Sequence, residues 1–418
     1  MRNKMFFLSL VFILSIILIA CQTNDTPSFN LGTGTSEDPF IIETFDDLYK
    51  LSSTTKYYYE LKNDIVNTFD KTIDSSVGDF YGVIDGNNYM IYGLKIINLH
   101  RYSDKENDDL YVGLFGMMKS GSYIHDLRLV NEVVSVDYDQ FGYIGSLAGY
   151  MEEDSKIEDI SVNGVMEVNI KDGTIGGVIG TGEYLKNVYT DIDMTIISRG
   201  NALSIGGIVG YNNEYLGYGN AYGKIRIEDG LYPEFGNDYY SIGGVVGIAD
   251  GEVKNCQNST DIIFELDELN DSMNSHIGGI VGGLYGDLAY SMSDGNITAI
   301  SNGVVMAGGL SGFIYDDGLV HNSLALSVIV FIGGHENDEH IGGVVGFTSD
   351  IASAYELYYS QEVGVLKAIG NHENSELVSI EDHTQNYYLN GIGLDYLNGQ
   401  FIFEEGKLPR IIPDLKLG

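Results

Sequence analysis

The stretch Ile175-Gly-Gly-Val-Ile-Gly180 returns as Ile205-Gly-Gly-Ile-Val-Gly210, Ile242-Gly-Gly-Val-Val-Gly247 and Ile277-Gly-Gly-Ile-Val-Gly282. Reading outward adds Tyr111-Val-Gly-Leu-Phe-Gly116 and Ile144-Gly-Ser-Leu-Ala-Gly149 on one side. Ala307-Gly-Gly-Leu-Ser-Gly312 and Ile341-Gly-Gly-Val-Val-Gly346 follow on the other. Successive closing glycines are 33, 31, 30, 37, 35, 30 and 34 residues apart. Eight copies at so steady a period mean one structural unit stacked many times. A glycine pair in most copies argues against helix, where each glycine costs about 1 kcal/mol. Between copies apolar residues alternate, as in Met166-Glu-Val-Asn-Ile170 and Ile192-Asp-Met-Thr-Ile196. That period of two belongs to strands with one buried face.

These patterns predict an all-β parallel β-helix, or β-solenoid, of about 8–9 coils, each repeat making one coil of short strands. The hexad glycines are expected to supply positive φ and close backbone approach at the coil corners. A second element follows most hexads by 7 to 10 residues: Asp126-Leu127, Asp159-Ile160, Asn187-Val188, Asn220-Ala221, Asn255-Cys256 and Asn322-Ser323. Its Asn or Asp is expected to start a turn, with an inward side-chain ladder as the alternative. Cys256 falls where other copies carry Leu, Ile, Val, Ala or Ser, so it reads as a buried packing residue.

Bulk composition agrees with an array. Glycine makes up 54 of 418 residues and proline only 5, and 44 % of the chain is hydrophobic. The chain is therefore neither collagen-like nor generally disordered. The formal charge of −38 repels a phosphate backbone and excludes nucleic acid as a natural partner. Residues 1–21 combine Arg2 and Lys4, an apolar run from Met5 to Ala20, and Leu18-Ile19-Ala20-Cys21. This is a secretory leader ending in a sequence that resembles the bacterial lipobox, so Cys21 is the expected lipidation site and its lipid the expected membrane anchor. Cys256, the second of two cysteines, is then left without a disulfide partner.

Residues 22–35 read as a polar tether, 36–100 as an N-terminal cap and first coils, 101–360 as the glycine-rich array, and 361–418 as a closing coil and cap. Thr44 followed by Asp47, with Phe45, Leu48 and Leu51 as an apolar stripe, predicts a short capping helix. Three motifs occur in order: the opening from Gly34 to Leu51, the run Phe80-Tyr-Gly-Val-Ile-Asp-Gly-Asn87 continuing to Leu94, and the recurrent hexads. Together they resemble the GLUG-repeat family over roughly residues 32–360. The resemblance implies a right-handed β-helix on a bacterial surface, adhesin-like in role. Phe401-Ile-Phe-Glu-Glu-Gly-Lys-Leu-Pro-Arg410 is similar to the closing strand of such proteins. Tryptophan is absent, so any sugar-stacking position must use Phe or Tyr. Similar repeats precede the catalytic part of immunoglobulin-A-specific metallopeptidases, and no such part is read here.

The enzyme reading finds little support in the residues. A polysaccharide lyase needs a base facing clustered carboxylates, and the 22 Lys and Arg are scattered. His335-Glu-Asn-Asp-Glu-His340 spaces its histidines by five, where a zinc-protease helix needs four. Acids do gather upstream of several hexads, including Asp108, Asp109, Asp137, Asp139, Asp238, Asp267, Asp271 and Asp338. On one side of a rod they would form an acidic edge able to offer oxygens to Ca²⁺; solvated loops are the preferred reading. The 31 tyrosines suit carbohydrate or protein contacts. The expected protein is a lipid-anchored, surface-exposed, non-catalytic β-solenoid that binds carbohydrate or surface proteins. A carbohydrate-active enzyme and a structural subunit of a surface assembly are the alternatives.

Overall fold

The structure, a computed structural model, describes residues 27–52, 54–99, 109–200, 202–229, 239–266, 274–301, 303–332, 340–350, 353–360, 368–371, 378–380, 401–402 and 410–411. The described chain is a parallel β-solenoid. Tyr123–Ile144 pairs in parallel with Lys156–Gly176, which pairs with Ile179–Ser198, which in turn pairs with Val209–Asp229.

The hexads sit directly above one another. Leu147 N donates to Val178 O, Val178 N to Ile208 O and Ile208 N to Val245 O, each at 2.9 Å. Val245, Ile280, Leu310 and Val344 continue the same ladder. Eight hexads thus make eight levels, with about seven turns between them. Two further levels flank them: Val77 N donates to Leu114 O, and Val344 N to Ala368 O. Val77-Gly78 and Ala368-Ile-Gly370 are degenerate copies that lack the Ile-Gly-Gly start, so the motif alone passes over them.

Stacking makes the core continuous. Ile124, Ile157, Leu185, Leu216, Val253, Leu288 and Val320 form one fully buried column, each in register with the next. Val134, Met166, Met194, Ile225, Ile262 and Ile297 form another. Each buried aliphatic side chain contributes roughly 1.5–3 kcal/mol, and no coil could bury its face alone.

The glycines are required for a different reason than expected in part. None of the Ile-Gly-Gly glycines has positive φ among the described residues. What demands them is close approach: a Cβ on Gly176 would fall 2.0 Å from Ile179 O, and one on Gly243 would fall 1.9 Å from Val246 O. The chain folds back on itself inside the hexad, and only a hydrogen fits there.

Positive φ belongs instead to the second element. Asp126, Asp159, Asn187, Asn255 and Asn322 adopt φ of 51–56° and form one stacked corner. Asn and Asp tolerate this conformation better than other side chains, which explains the recurrence. The expectation for Asn220 is corrected: Tyr218, at φ 58°, occupies that corner, and Asn220 pairs two places on with Tyr189. Tyr290, at φ 52°, fills it in the copy where no Asn or Asp was read. Asn187 Nδ2 also donates to Asp159 Oδ1 at 2.9 Å, so turn and ladder coexist at one level. Cys256, fully buried, follows this corner, and burial pushes its thiol up to about 12.

At the N-terminal end, helix α1 (Phe45–Leu48) has the predicted cap: Thr44 N and Thr44 Oγ1 both donate to Asp47 Oδ2 at 2.9 Å. Phe45, Leu48 and Leu51 are buried against the first coil. Phe29 stacks on Phe40 at 5.1 Å, extending that cover. At the other end Val378–Ile380 pairs in parallel with Ala354–Ser360, and Phe401–Ile402 pairs antiparallel with Arg410–Ile411. The leader with Cys21 lies outside the described residues, as does most of 361–418.

Candidate functional site

A cleft of about 610 Å³ opens between the N-terminal cap and the first coils, lined by Pro27, Ser28, Lys50, Ser52, Thr54, Asp79 and Tyr81. Its walls are positioned by ordinary local chemistry. Lys50 is drawn to Asp47 at 2.6 Å and lies over the Phe29 ring at 5.3 Å. Gly78, at φ +115°, brings the backbone so close to Ser52 that a Cβ would meet its Oγ at 2.5 Å.

The cleft continues onto an aromatic platform. A Cβ on Gly116 would stand 3.5 Å from Asp79 Oδ1 and 3.6 Å from Tyr111 Cβ, so Asp79 and Tyr111 flank the same glycine. Tyr111 stacks on Tyr143 of the next coil at 5.0 Å and 5°, and Tyr150 meets Tyr143 edge-on at 5.4 Å. All three rings are half-buried, which raises their phenol pKa values. Lys119 joins cleft to platform, 2.7 Å from Glu152 Oε1 and 3.6 Å from Asp79 Oδ2. Ser120 N donates to the other Glu152 oxygen at 3.1 Å. The Glu152 hydrogen bond holds Lys119 above its usual range, and Lys119 holds Glu152 below the usual carboxylate range. Both groups are therefore fixed in their charged forms, unsuited to carry a proton to or from a substrate at neutral pH. The surface offers ring faces, hydroxyls and fixed charges.

A second aromatic group lies farther along the same side of the coils. Tyr285 and Tyr315 stack at 3.8 Å and 6°, Phe313 stacks on Phe347 at 5.2 Å, and Tyr211 donates to Asp250 Oδ2 at 2.6 Å. His276 packs on Phe313 at 4.8 Å, and burial pushes its pKa down to about 4.

The expected acidic edge is described only in part. Asp108, Asp238, Asp267, Asp271 and Asp338 lie outside the described residues, and so does His335. Asp109 is exposed. Asp137 and Asp139 lie within the strand Tyr123–Ile144, not in a projecting loop. Arg199 Nη2 donates to Asp137 Oδ1 at 2.7 Å and to the carbonyls of Tyr138 and Asn169 at 2.9 Å. Asp137 thus engages a cation of the chain itself. His340 packs against Phe347 at 4.9 Å.

No family model matches the chain. It is 28 % identical over 141 residues to a protein of Evansella cellulosilytica named as a candidate Gly-rich membrane protein, covering 31 % of this chain and 15 % of that one. It is 25 % identical over 251 residues to an immunoglobulin A1 protease of Streptococcus pneumoniae, covering 58 % of this chain and 11 % of that one. The match thus spans less than a sixth of either relative. Among solved structures, a Bacteroides ovatus chain described as a candidate immunoglobulin A1 protease is similar at a TM-score of 0.41 and 20 % identity, covering 73 % of this chain and 86 % of that one.

Sequence reading did not single out Asp79, Tyr81, Lys119 or Glu152. They come from three successive levels, and nothing in the local pattern marks them. The abundance of tyrosine was the one signal that pointed to this face.

Proposed function

We propose that this protein is an exported, lipid-anchored envelope β-solenoid of the GLUG-repeat kind, whose cleft and tyrosine platform bind carbohydrate or surface-protein ligands without catalysis. The observation that carries the reading is the arrangement around Lys119: a lysine held charged by Glu152 and Asp79, beside the stacked rings of Tyr111 and Tyr143. Stacked phenols supply broad ring faces and hydroxyls, and fixed charges orient a polar ligand. The envelope location rests on the leader ending at Cys21 and on the likeness to a protein named for the membrane.

The soluble form beginning at Gln22, incubated with a panel of polysaccharides and matrix proteins, tests the reading. Saturable retention that falls with Tyr81→Ala and Tyr143→Ala, without release of reducing or unsaturated ends, is the expected outcome. Product release at catalytic protein levels would replace the binding protein with a carbohydrate-active enzyme. For the anchor, Cys21→Ser is expected to move the protein from the membrane to the soluble fraction.

A further inference from the structure

Asp85, His125 and Asp126 bring three donor atoms, one from each, within 4.8 Å of one another. His125 Nδ1 stands 2.8 Å from Asp126 Oδ2 and 3.9 Å from Asp85 Oδ1. Two ligands each about 2.1 Å from a tetrahedral ion stand roughly 3.4 Å apart, a separation between the two observed. The three residues are held by the solenoid. Asp85 pairs in register with His125 across two coils, Gly86 N donates to His125 O, and Asn88 N donates to Asp126 O. Tyr123 stacks on the imidazole at 4.5 Å and fixes the ring plane.

Charge supplies a second, separate observation. Glu158 and Asp159 occupy the next coil at the same corner, in register with His125 and after it. Glu158 Oε2 accepts from Tyr123 OH at 2.9 Å, and Asp159 accepts from Asn187. Among the described residues Asp85 and Asp126 pair with His125, and Lys186 stands in register beside Glu158 on the following coil. Asp85 and Asp126 thus flank the imidazole at one corner, with the carboxylates of Glu158 and Asp159 on the next coil, an arrangement that a divalent ion relieves.

We propose that Asp85, His125 and Asp126 form a site for a zinc-class divalent cation, with water completing the coordination. Mixed imidazole and carboxylate donors suit such ions better than calcium or magnesium, which prefer oxygen alone. The ion ties the coil of Gly82–Asp85 to the repeat array. The proposal is independent of ligand binding at the tyrosine platform.

The same corner recurs as an internal comparison. His321 Nδ1 stands 2.8 Å from Asn322 Oδ1, and its Nε2 stands 3.0 Å from Asp287 Oδ1. There an amide replaces the carboxylate of Asp126, and only one carboxylate is left to bind an ion.

The test is zinc titration of the metal-stripped full-length chain in detergent, read by competition with a chromogenic chelator and by the melting temperature. One zinc per chain and a raised melting temperature are expected. Asp126→Asn keeps a residue suited to positive φ and is expected to weaken binding by more than ~10-fold, the loss that even an outer-shell partner typically causes. His125→Ala should do the same, while His321→Ala leaves zinc binding unchanged. Absence of a stoichiometric zinc in the parent, or affinity unaltered in Asp126→Asn, would overturn the site. Equal loss in His321→Ala would overturn it as well.

Discussion

Ser146 Oγ contacts the carboxyl of Glu132 and lies 2.5 Å from the carbonyl of Gly177, inside the solenoid. A hydroxyl has one proton to donate, so both contacts are satisfied together when a protonated Glu132 donates to Ser146 and Ser146 donates to Gly177. Glu132 is 1 % exposed, and burial pushes its pKa up to about 8. Gly164 makes the room: a Cβ there would fall 2.6 Å from Glu132 Cγ. Ser146 stands where later hexads carry their second glycine.

Stability should therefore fall with rising pH through this group. Its folded pKa, about 8, lies above its ordinary 4.5, so the folded state binds the extra proton between the two. The contribution is fully present below pH 4.5 and is lost as pH rises toward about 8, a change of a few kcal/mol. Glu132→Gln keeps a neutral hydrogen-bonding group and removes that dependence. Urea midpoints at pH 5 and pH 9 check this. Parallel curves for the two proteins would show that Glu132 ionises freely when folded.

The hexad glycines should be the least replaceable residues in the chain. Gly243→Ala would place a methyl 1.9 Å from Val246 O and 2.5 Å from Ile280 O, backbone atoms that cannot move alone. A loss of about 3 kcal/mol or more is expected, at the upper end of overpacking. Gly121→Ala, whose Cβ would meet only Lys56 Nζ at 3.8 Å, should cost about 1 kcal/mol from its positive φ. Equal effects in thermal unfolding would remove the close-approach explanation.

At the stacked corner, Asn255→Ala should cost about 1–2 kcal/mol, because alanine tolerates φ of 54° poorly. Tyr290→Asn should instead stabilise by about 0.5–1 kcal/mol, since a bulky side chain now holds the same conformation. Opposite signs in equilibrium unfolding are the expected result.

Arg199 should matter more than other ion-paired arginines. Its side chain is 9 % exposed and one nitrogen serves Asp137 and the Tyr138 and Asn169 carbonyls. Arg199→Met should cost about 2 kcal/mol, largely unscreened by salt. Arg226→Met, which removes an exposed pairing with Glu228 and Glu265, should leave the unfolding midpoint unmoved. A comparable loss in both would deny Arg199 its role across the coils.

The hexad period and the alternation of residues such as Met166, Val168 and Ile170 are local patterns, and they alone determined the solenoid, its interior columns and its capping helix. A strand buries every second residue whatever its neighbour, so burial is legible along one dimension. What lies beside what across coils was decided by the tertiary structure. Copies differ by up to seven residues in length, and the motif does not mark where the difference falls. Tyr218, not Asn220, therefore fills its corner, and Arg199 reaches an aspartate 62 residues earlier. Asp85 meets His125, and Asp79 meets Lys119, only because parallel register stacks them. That register is set by the whole length of each strand ladder. The glycines show both halves at once: their recurrence and the close approach they permit are written in the chain, but only the folded hexad decides that close approach, and not positive φ, requires them.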